Sequence, residues 1–219
     1  GRLPVESTIL RFRHLLEAHK LAEQILDVVN EILGKRGLLL KTGTVVDATL
    51  IAAPSSTKNK DHKRDPEMHS SKKGEQMYFG MKAHIGADAE SGLVHTVRGT
   101  SGNVSDVVEG NSLLHGDETD VFADAGYQGA DDRPDAVQGK RWHIAMKRSK
   151  RKALDQSKPR GQLLEQLEQV KSRIRAKVEH PYRVLKCQFG YVKVRYRGLM
   201  KNAQQLHTLL LQEPLGRFA

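Results

Sequence analysis

The sequence predicts an α/β fold, in which a mixed sheet is flanked by helices and preceded by a short helical segment. Two observations indicate this class. Residues 77–87 and 92–100 are strand-like segments separated by the turn-like DAESG, which predicts an antiparallel hairpin. After residue 103, helix-like and strand-like segments alternate, as in β-α units. Antiparallel strands followed by β-α alternation imply a mixed sheet with helices on its faces.

Two amphipathic helices are predicted at the start of the chain, within residues 6–18 and 20–37. Their apolar side chains follow the helical period at Ile9, Phe12 and Leu16, and then at Leu21, Ile25, Val28 and Ile32. Gly34 is a natural end for the second helix. We expect the pair to pack through these stripes, a structural role that requires no ligand.

The next segments predict the start of the sheet. Residues 38–54 are rich in Val, Thr and Ile, which favours a strand, and the polar segment Pro54–Gln76 predicts an exposed loop. Asn103 is expected to cap a helix over residues 104–116. The sequence DVFADAGYQGA then predicts a strand that ends in a Gly-containing turn.

The C-terminal half predicts a short helix at Ala130–Val137, a strand at residues 141–147 and a long helix at residues 161–180. The apolar stripe of the long helix consists of Leu163, Leu167, Val170, Ile174 and Val178. Residues 189–199 fit neither a helix nor a strand clearly. A terminal helix is predicted over residues 200–211.

The charge of the chain favours a polyanionic partner. The net charge is +10 and the pI is near 9.7. The segments 140–160 and 171–201 contain nine and ten Lys or Arg residues, but only one acid each, Asp155 and Glu179. Although a charge run is usually a solvated face, two nearly acid-free runs favour a phosphate-binding surface, with nucleic acid as the commonest such partner.

The single cysteine, Cys187, excludes an internal disulfide and a multi-cysteine zinc site, which fits a reducing compartment. The sequence lacks an apolar stretch of membrane-spanning length and the pattern of a signal peptide. It also lacks HExxH, GxxxxGK[ST] and GxSxG motifs, which argues against a zinc enzyme, a phosphate loop and a serine hydrolase. We therefore expect a cytoplasmic protein without a membrane partner.

Three acidic residues stand in unusual places. Asp47 lies inside the apolar strand VVDATLI, where a carboxylate is costly to bury without a cation or hydrogen-bond donors. Asp124 stands at the carboxyl end of a predicted strand, where ligands of α/β sheets gather. The alternatives are an Asp on a solvent face for Asp47 and an ordinary turn residue for Asp124.

Glu179 is the only acid in its basic run. A surface ion pair with Arg175, four residues earlier, is the plainer interpretation, worth only about 0.3–0.5 kcal/mol. Pro181 cannot donate to the carbonyl of Lys177, so the helix should kink or end beside Glu179. Three converging carboxylates would suit Mg²⁺ or Mn²⁺, which prefer oxygen ligands, but spacing alone does not establish that they converge.

Five blocks of the sequence resemble bacterial insertion-sequence transposases of the DDE class, IS-five group. In order they are GTVVDATLIAAPSSTKNKD, MYFGMKAHIGADAESGLVHTV, GNVSD, VFADAGYQG and RAKVEHPYRVLKCQFGYVKVRYRGLMKN. The resemblance runs from about Glu6 to about His207. It implies an RNase H-like fold and DNA strand cleavage and strand transfer that depend on Mg²⁺, with Mn²⁺ as a substitute. The implied partners are the element ends and target DNA, bound by a homodimer in a nucleoprotein complex at the bacterial nucleoid.

The resemblance also assigns roles to individual residues. Asp47, Asp124 and Glu179 match the catalytic, metal-binding triad. Arg175 and Lys186 match the Arg and Lys of the family's Y-x2-R-x3-E-x6-K signature and are expected to contact DNA. The tyrosine of that signature is Ser172 in this chain, a departure from the pattern that does not affect the triad.

The resemblance divides the chain into three expected parts. Residues 1–37 would be the helical remnant of an N-terminal DNA-binding or dimerisation region, and residues 38–207 the RNase H-like catalytic domain. Residues 208–219 form a tail that differs from the family's closing helix. Because Gly1 falls inside the helical region of such transposases, we expect a truncated chain that binds DNA with little sequence preference.

Further basic residues are expected to contact DNA. Lys82 and His84 alternate with apolar residues, so they should share one sheet face, which is either directed toward DNA or simply exposed. The expected backbone-binding cluster is Lys147, Arg148, Lys150, Arg151 and Lys152. Two alternative functions remain at this stage, a truncated transposase that binds DNA without catalysis and a nuclease that acts on RNA–DNA hybrids.

Overall fold

The computed structural model describes residues 3–39 and 42–218. Gly1 and Arg2 of the expected N-terminal part, and Ala219 of the expected tail, lie outside the described residues. The strands are β1 (Gly43–Ala52), β2 (His69–Lys73), β3 (Gln76–Asp88), β4 (Val94–Ser101), β5 (Asp120–Ala123) and β6 (Arg141–Ile144). The helices are α1 (Glu6–Ala18), α2 (Leu21–Lys35), α3 (Asp106–Glu109), α4 (Arg148–Lys152), α5 (Pro159–Arg175), α6 (Glu179–Arg183) and α7 (Leu199–Phe218). None of the described helices is long and apolar enough to span a membrane.

The sheet has the order β2-β3-β1-β5-β6, and β4 also pairs with β3. β1 is central, because it pairs antiparallel with β3 on one side and parallel with β5 on the other. β3 and β4 form the predicted antiparallel hairpin, and β5 and β6 are parallel. The predicted mixed sheet flanked by helices is therefore confirmed, and its arrangement is consistent with an RNase H-like fold.

The main core lies between the hairpin side of the sheet and the C-terminal helices. Val45 and Ile51 of β1 are fully buried in it, together with Leu206 and Leu210 of α7. A second cluster covers β5 and includes Val46, Leu113, Val121, Ala123, Tyr127 and Ala130. Because both clusters hold β1, this strand is fixed firmly at the centre of the molecule, and whatever it carries is held in place with it.

The N-terminal helices form as predicted, but their stripes do not pack as predicted. α2 buries Ala22, Leu26 and Leu33, whereas Ile25, Val28 and Ile32 are exposed. α1 has no buried residue, and more than half of the Phe12 side chain is exposed. The expected packing face was wrong because α2 lies on α7 through the neighbouring helical face.

The stripe predicted for the long helix is confirmed only at its C-terminal end, where Val178 is buried in the main core and Ile174 packs against it. Leu163, Leu167 and Val170 of α5 are exposed, whereas Glu168 is buried. The Glu168 carboxylate accepts a hydrogen bond from the Met146 N–H at 2.9 Å, and Lys171 Nζ donates to the Ile144 carbonyl at 3.0 Å. α5 therefore docks on the end of β6 through its polar side.

Three local predictions also need correction. The segment His69–Lys73, expected to be loop, is strand β2, because the first half of β3 pairs with it. No helix forms at Ala130–Val137, where the chain makes turns. The helix expected after Asn103 is only four residues long and is preceded by Ser105 at its N-cap, without a side-chain cap bond.

The predicted break beside Glu179 is confirmed. α5 ends at Arg175, a tight turn covers Ala176–Val178, and α6 begins at Glu179. This follows from the missing N–H of Pro181, which leaves the preceding turn one hydrogen bond short. The residue expected to complete the acidic triad, Glu179, therefore stands at the start of α6.

Candidate active site

Two of the three predicted catalytic carboxylates lie on neighbouring parallel strands. β1 pairs with β5 in a register that places Val45 opposite Phe122. Extending this register by two residues brings Asp47 opposite Asp124, just beyond the end of β5. Since side chains at the same level of adjacent strands point to the same face of a sheet, the two carboxylates share one face.

Asp47 is only partly accessible to solvent, although its neighbours on β1 are apolar. Its Oδ1 accepts a hydrogen bond from the Ala48 N–H at 2.8 Å. Burial raises the pKa of Asp47 to about 6, the Ala48 bond opposes that shift, and the negative charges of Asp124 and Asp106 add to it. The pKa of this carboxyl shows that the protein alone does not compensate its negative charge.

Asp124 begins the turn of the DAGYQG block. Its Oδ1 accepts a hydrogen bond from the Gly126 N–H at 2.8 Å. A Cβ atom on residue 126 would lie 2.9 Å from that same oxygen. Glycine is therefore required at position 126 for Asp124 to keep this conformation.

A cavity of about 410 Å³ opens beside these two carboxylates. Its charged lining consists of Asp47, Asp106, Asp124, Lys72, Lys82 and Arg175. Tyr182 also lines it, and burial, followed by the charge of Asp47, raises the pKa of its phenol well above the usual range. Asp106 was missed by the sequence analysis, although the GNVSD block ends on it, because that segment was considered only for helix capping.

Lys82 and His84 lie next to Asp106. Lys82 Nζ donates to Asp106 Oδ1 at 2.8 Å and to the Val104 carbonyl at 2.7 Å. The His84 side chain is fully buried, and its Nε2 is 2.7 Å from Thr100 Oγ1. Burial lowers the pKa of His84 to about 4. Lys82 is thus placed at the cavity with only 12% of its side chain exposed, and a DNA contact by either residue stays a prediction.

The residues of the expected signature occupy different positions. Arg175 lines the cavity, and Lys186 Nζ donates to Thr49 Oγ1, on the cavity wall, at 2.6 Å. Glu179 is exposed and is not part of the cavity lining. Arg175 and Tyr182, which flank it at spacings of four and three, both line the cavity. Glu179 thus lies between two cavity-lining residues along the chain, and its convergence with Asp47 and Asp124 stays a prediction.

Helix α4 and the residue before it carry the predicted basic cluster. Lys147, Arg148, Lys150 and Lys152 are exposed, whereas Arg151 pairs with Glu165, its Nη2 lying 2.6 Å from Oε1. A smaller cavity of about 160 Å³ between β6, α4 and α5 is lined by Arg148, Arg151 and Arg175. Because Arg175 lines both cavities, the basic cluster adjoins the acidic site.

The acidic cavity has the donor chemistry of a hard-cation site. Carboxylate oxygens are the preferred ligands of Mg²⁺ and Mn²⁺. Within residues 3–39 and 42–218, no three His, Cys, Asp or Glu side chains are arranged closely enough to hold one metal ion as they stand. Two buried polar atoms near the carboxylates, His84 Nδ1 and the Tyr127 hydroxyl, have no hydrogen-bond partner. The donor set therefore fits a cation, but the ligands are not fully gathered.

The family model described as a transposase DDE domain matches residues 39–211, which include β1 to β6 and all residues that line the acidic cavity. No solved structure matches the chain.

Proposed function

The chain belongs to the transposase DDE domain family, and we propose that its acidic cavity is the centre at which DNA is cleaved and joined to a new site. The pairing of Asp47 with Asp124 carries this proposal. Two carboxylates at one level of adjacent strands, one with its pKa raised to about 6, create a site that gains free energy when a cation enters. A structural role would instead favour neutralisation by nearby Lys or Arg.

Asp47 and Asp124 would hold the divalent cations, and Glu179 would be the third carboxylate of the set. The bound Mg²⁺ or Mn²⁺ supplies Lewis-acid stabilisation of the entering and leaving oxygens in a phosphoryl displacement. The protein contributes position. β1 fixes Asp47, and the turn at Gly126 fixes Asp124, so neither carboxylate must be reorganised during the reaction.

In the cleavage step, a water oxygen forms a bond to phosphorus and a phosphorus–oxygen bond of the DNA breaks. In strand transfer, the terminal hydroxyl of the cut strand replaces the water as the nucleophile, and the proton of the attacking group passes to solvent. Arg175 lies between the two cavities, where its guanidinium can hold a neighbouring phosphate by paired hydrogen bonds. The exposed Lys and Arg side chains of α4 continue the positively charged surface that begins at Arg175. They would bind the DNA backbone without reading its sequence.

We infer a division of the chain into residues 1–37, the catalytic domain at 38–207 and a tail at 208–219, with the functional unit a homodimer that binds element ends and target DNA in the bacterial cytoplasm. The family membership supports DNA as the substrate. The largely exposed apolar residues of α1 are compatible with an assembly role for the first segment. Analytical ultracentrifugation with and without DNA tests the dimer.

Nicking of supercoiled plasmid in the presence of Mg²⁺ or Mn²⁺ tests the proposed chemistry. We expect the wild-type protein to nick the plasmid and Asp47→Asn to leave it intact. Asp135→Asn is the matched control, because it removes the same charge from a surface pair with Arg133. Equal nicking by the Asp47 variant would remove the cavity as the catalytic centre.

A second candidate function is DNA binding without catalysis. The exposed position of Glu179 favours it, since the third expected ligand is outside the cavity. Under this alternative the wild-type protein binds DNA but does not nick it with either metal. A substrate competition between duplex DNA and an RNA–DNA hybrid separates both functions from that of a hybrid-specific nuclease.

A further inference from the structure

Asp106 is the third carboxylate of the acidic cavity, although nothing in the DDE signature assigns it a role. Its two oxygens face different groups. Oδ1 accepts a hydrogen bond from Lys82 Nζ at 2.8 Å, whereas Oδ2 points toward the Asp124 turn, 3.8 Å from where a Cβ on residue 126 would lie. That same Cβ position is 2.9 Å from Asp124 Oδ1. The Asp106 and Asp124 carboxylates therefore flank the same small space above Gly126.

Two unsatisfied polar atoms border this group of carboxylates. His84 is fully buried, and its Nδ1, which has no hydrogen-bond partner, lies 3.9 Å from Asp106 Oδ1. Tyr127 is also fully buried with an unpartnered hydroxyl. Burial, and after it the negative charges of Asp47, Asp106 and Asp124, raise the pKa of Tyr127. Buried polar atoms without partners are costly, so their concentration here indicates a site that is completed by a ligand.

We propose that Asp106 is an additional metal-ligating carboxylate, held ready by Lys82. Oδ1 stays bound to Lys82, and Oδ2 joins Asp47 and Asp124 as an oxygen donor to a divalent cation. This inference rests on the proposed function, because it places a further ligand in the same centre. It also explains why a lysine with 12% side-chain exposure lies among acids. Lys82 keeps the carboxylates together until the cation supplies the missing positive charge.

The ligand role and a purely structural ion pair predict different metal affinities. If Asp106 binds the cation, removing its charge weakens metal binding. Removing Lys82, by contrast, should strengthen metal binding, because a positive charge near the cation disappears. If the pair is only structural, both substitutions disturb the same contact and change the affinity in the same direction.

Calorimetric titration of the DNA-free protein with Mn²⁺ distinguishes these cases. We expect Asp106→Asn to weaken Mn²⁺ binding at least tenfold and Lys82→Met to strengthen it severalfold. The double variant Asp106→Asn/Lys82→Met leaves no buried lysine unpaired, so it guards against a folding defect. It should bind Mn²⁺ at least tenfold more weakly than Lys82→Met alone. Asp135→Asn, on the surface, should bind as the wild type does.

Several outcomes would overturn the inference. They are an unchanged affinity in Asp106→Asn, an equal weakening by Lys82→Met, or a double variant that binds as tightly as Lys82→Met alone. Asp47→Asn separates this failure from that of the proposed function. If the wild type binds Mn²⁺ no better than Asp47→Asn does, the whole centre is refuted. If Asp47→Asn loses Mn²⁺ binding and Asp106→Asn does not, the proposed metal centre is supported and only the ligand role of Asp106 is refuted.

Discussion

The two ends of the β1–β5 pair carry aspartates in opposite electrostatic situations. At one end, Asp120 lies opposite Gly43 and binds His143 at 2.7 Å, Arg141 at 2.8 Å and Thr119 at 2.7 Å. The hydrogen bond with His143, supported by Arg141 and Thr119, holds the pKa of Asp120 well below its usual range. At the other end, Asp47 lies beside Asp124, and burial raises its pKa to about 6.

Under the proposed function, this difference separates a structural carboxylate, Asp120, from a metal-binding one, Asp47. The fold neutralises Asp120 with its own hydrogen bonds, so Asp120 needs nothing more. It supplies Asp47 with one backbone hydrogen bond and the nearby charge of Arg175, and these do not offset burial and the neighbouring carboxylates, so a bound cation would add the compensating charge. A site that loses stability so that it can bind a cation is the expected pattern at an active centre.

The largest effect on cleavage is expected from Asp124→Asn, which removes a carboxylate from the end of the β1–β5 pair that carries Asp47. Loss of one carboxylate ligand should reduce Mg²⁺-dependent cleavage about a thousandfold or more, since bound metal contributes several kcal/mol to such reactions. DNA binding should stay the same or tighten slightly, because one negative charge near the phosphates is gone. Plasmid nicking and a DNA-binding titration measure the two effects.

Asp120→Asn, four residues earlier on the chain, is the matched control for this variant. It removes the same charge from the opposite end of β5 and should leave the cleavage rate within a few-fold of the wild-type rate, measured where the protein is fully folded. A comparable loss of cleavage in both variants would contradict the contrast between the two ends.

The pH dependence of metal binding is the next effect in size. A proton must leave Asp47 before it can bind a cation, and its pKa is about 6. The apparent affinity for Mn²⁺ should therefore fall about tenfold for each pH unit below 6 and be level above it. Calorimetric titrations between about pH 5 and 8 check this. A profile without a change near pH 6 would show that Asp47 is not among the ligands.

A smaller effect, of opposite sign at the two ends, is expected in the metal-free protein. Asp120→Asn should lower the free energy of unfolding at pH 7 by about 1–2 kcal/mol, because a hydrogen-bonded carboxylate is lost. Since folding depresses the pKa of Asp120, this cost should still be present at about pH 4 and should be lost progressively as the pH falls further. Asp47→Asn should instead raise the free energy of unfolding by about 1–2 kcal/mol at pH 7.

The gain in Asp47→Asn has its own pH window. Because the pKa of Asp47 is raised by folding, the wild type loses stability as the pH rises from about 4 to about 6. The gain should therefore appear across that interval and be complete above it. Urea denaturation at pH 4 and pH 7 measures both variants. Destabilisation by both substitutions at pH 7 would show that Asp47 is a structural carboxylate like Asp120.

Sequence patterns predicted the strands, and the unusual position of Asp47 on one of them, better than the packing of helices. Asp47 was recognisable because burying an acid inside the apolar strand VVDATLI costs free energy in any tertiary structure. The stripe of Leu163, Leu167 and Val170 obeys the helical period equally well, yet it is exposed. Periodicity shows that a helix has an apolar side but not which side meets the sheet, since Glu168 and Lys171 bind groups around β6 that lie far away in sequence.

The sequence also could not show that the site residues converge, because their contacts join residues that lie far apart along the chain. Asp106 reaches the cavity through its contact with Lys82, 24 residues away, and no local pattern marks it. Arg141 and the α4 lysines fall in one basic run, but the structure separates them. Arg141 binds Asp120 at the structural end of β5, whereas α4 lies beyond the far end of β6. Charge counts predicted a phosphate-binding surface without showing that part of the run has another role.

That division of the basic run leads to the smallest predicted effect. Lys150 and Lys152 are exposed on α4, near the cavity that Arg148 shares with Arg175, so they should contact DNA phosphates. Each contact contributes about −0.9 to the slope of log affinity against log salt for duplex DNA. Lys150→Gln/Lys152→Gln should therefore make the slope about 1.8 units less steep, with a modest loss of affinity at low salt.

Arg141→Gln removes a positive charge from the same run but at the opposite end of the strand pair. Its guanidinium is already held by Asp120, and four residues of β6 place it about 13 Å from the catalytic end of the sheet. We expect its salt slope to equal that of the wild type, measured by fluorescence anisotropy with one duplex over a range of salt concentrations. An equal change of slope in both variants would mean that DNA contacts the whole basic segment 140–160. The two ends of the β1–β5 pair would then both lie on the DNA-binding surface. A change confined to the α4 variant would place the bound phosphates at the same end of the sheet as Asp47, Asp106 and Asp124.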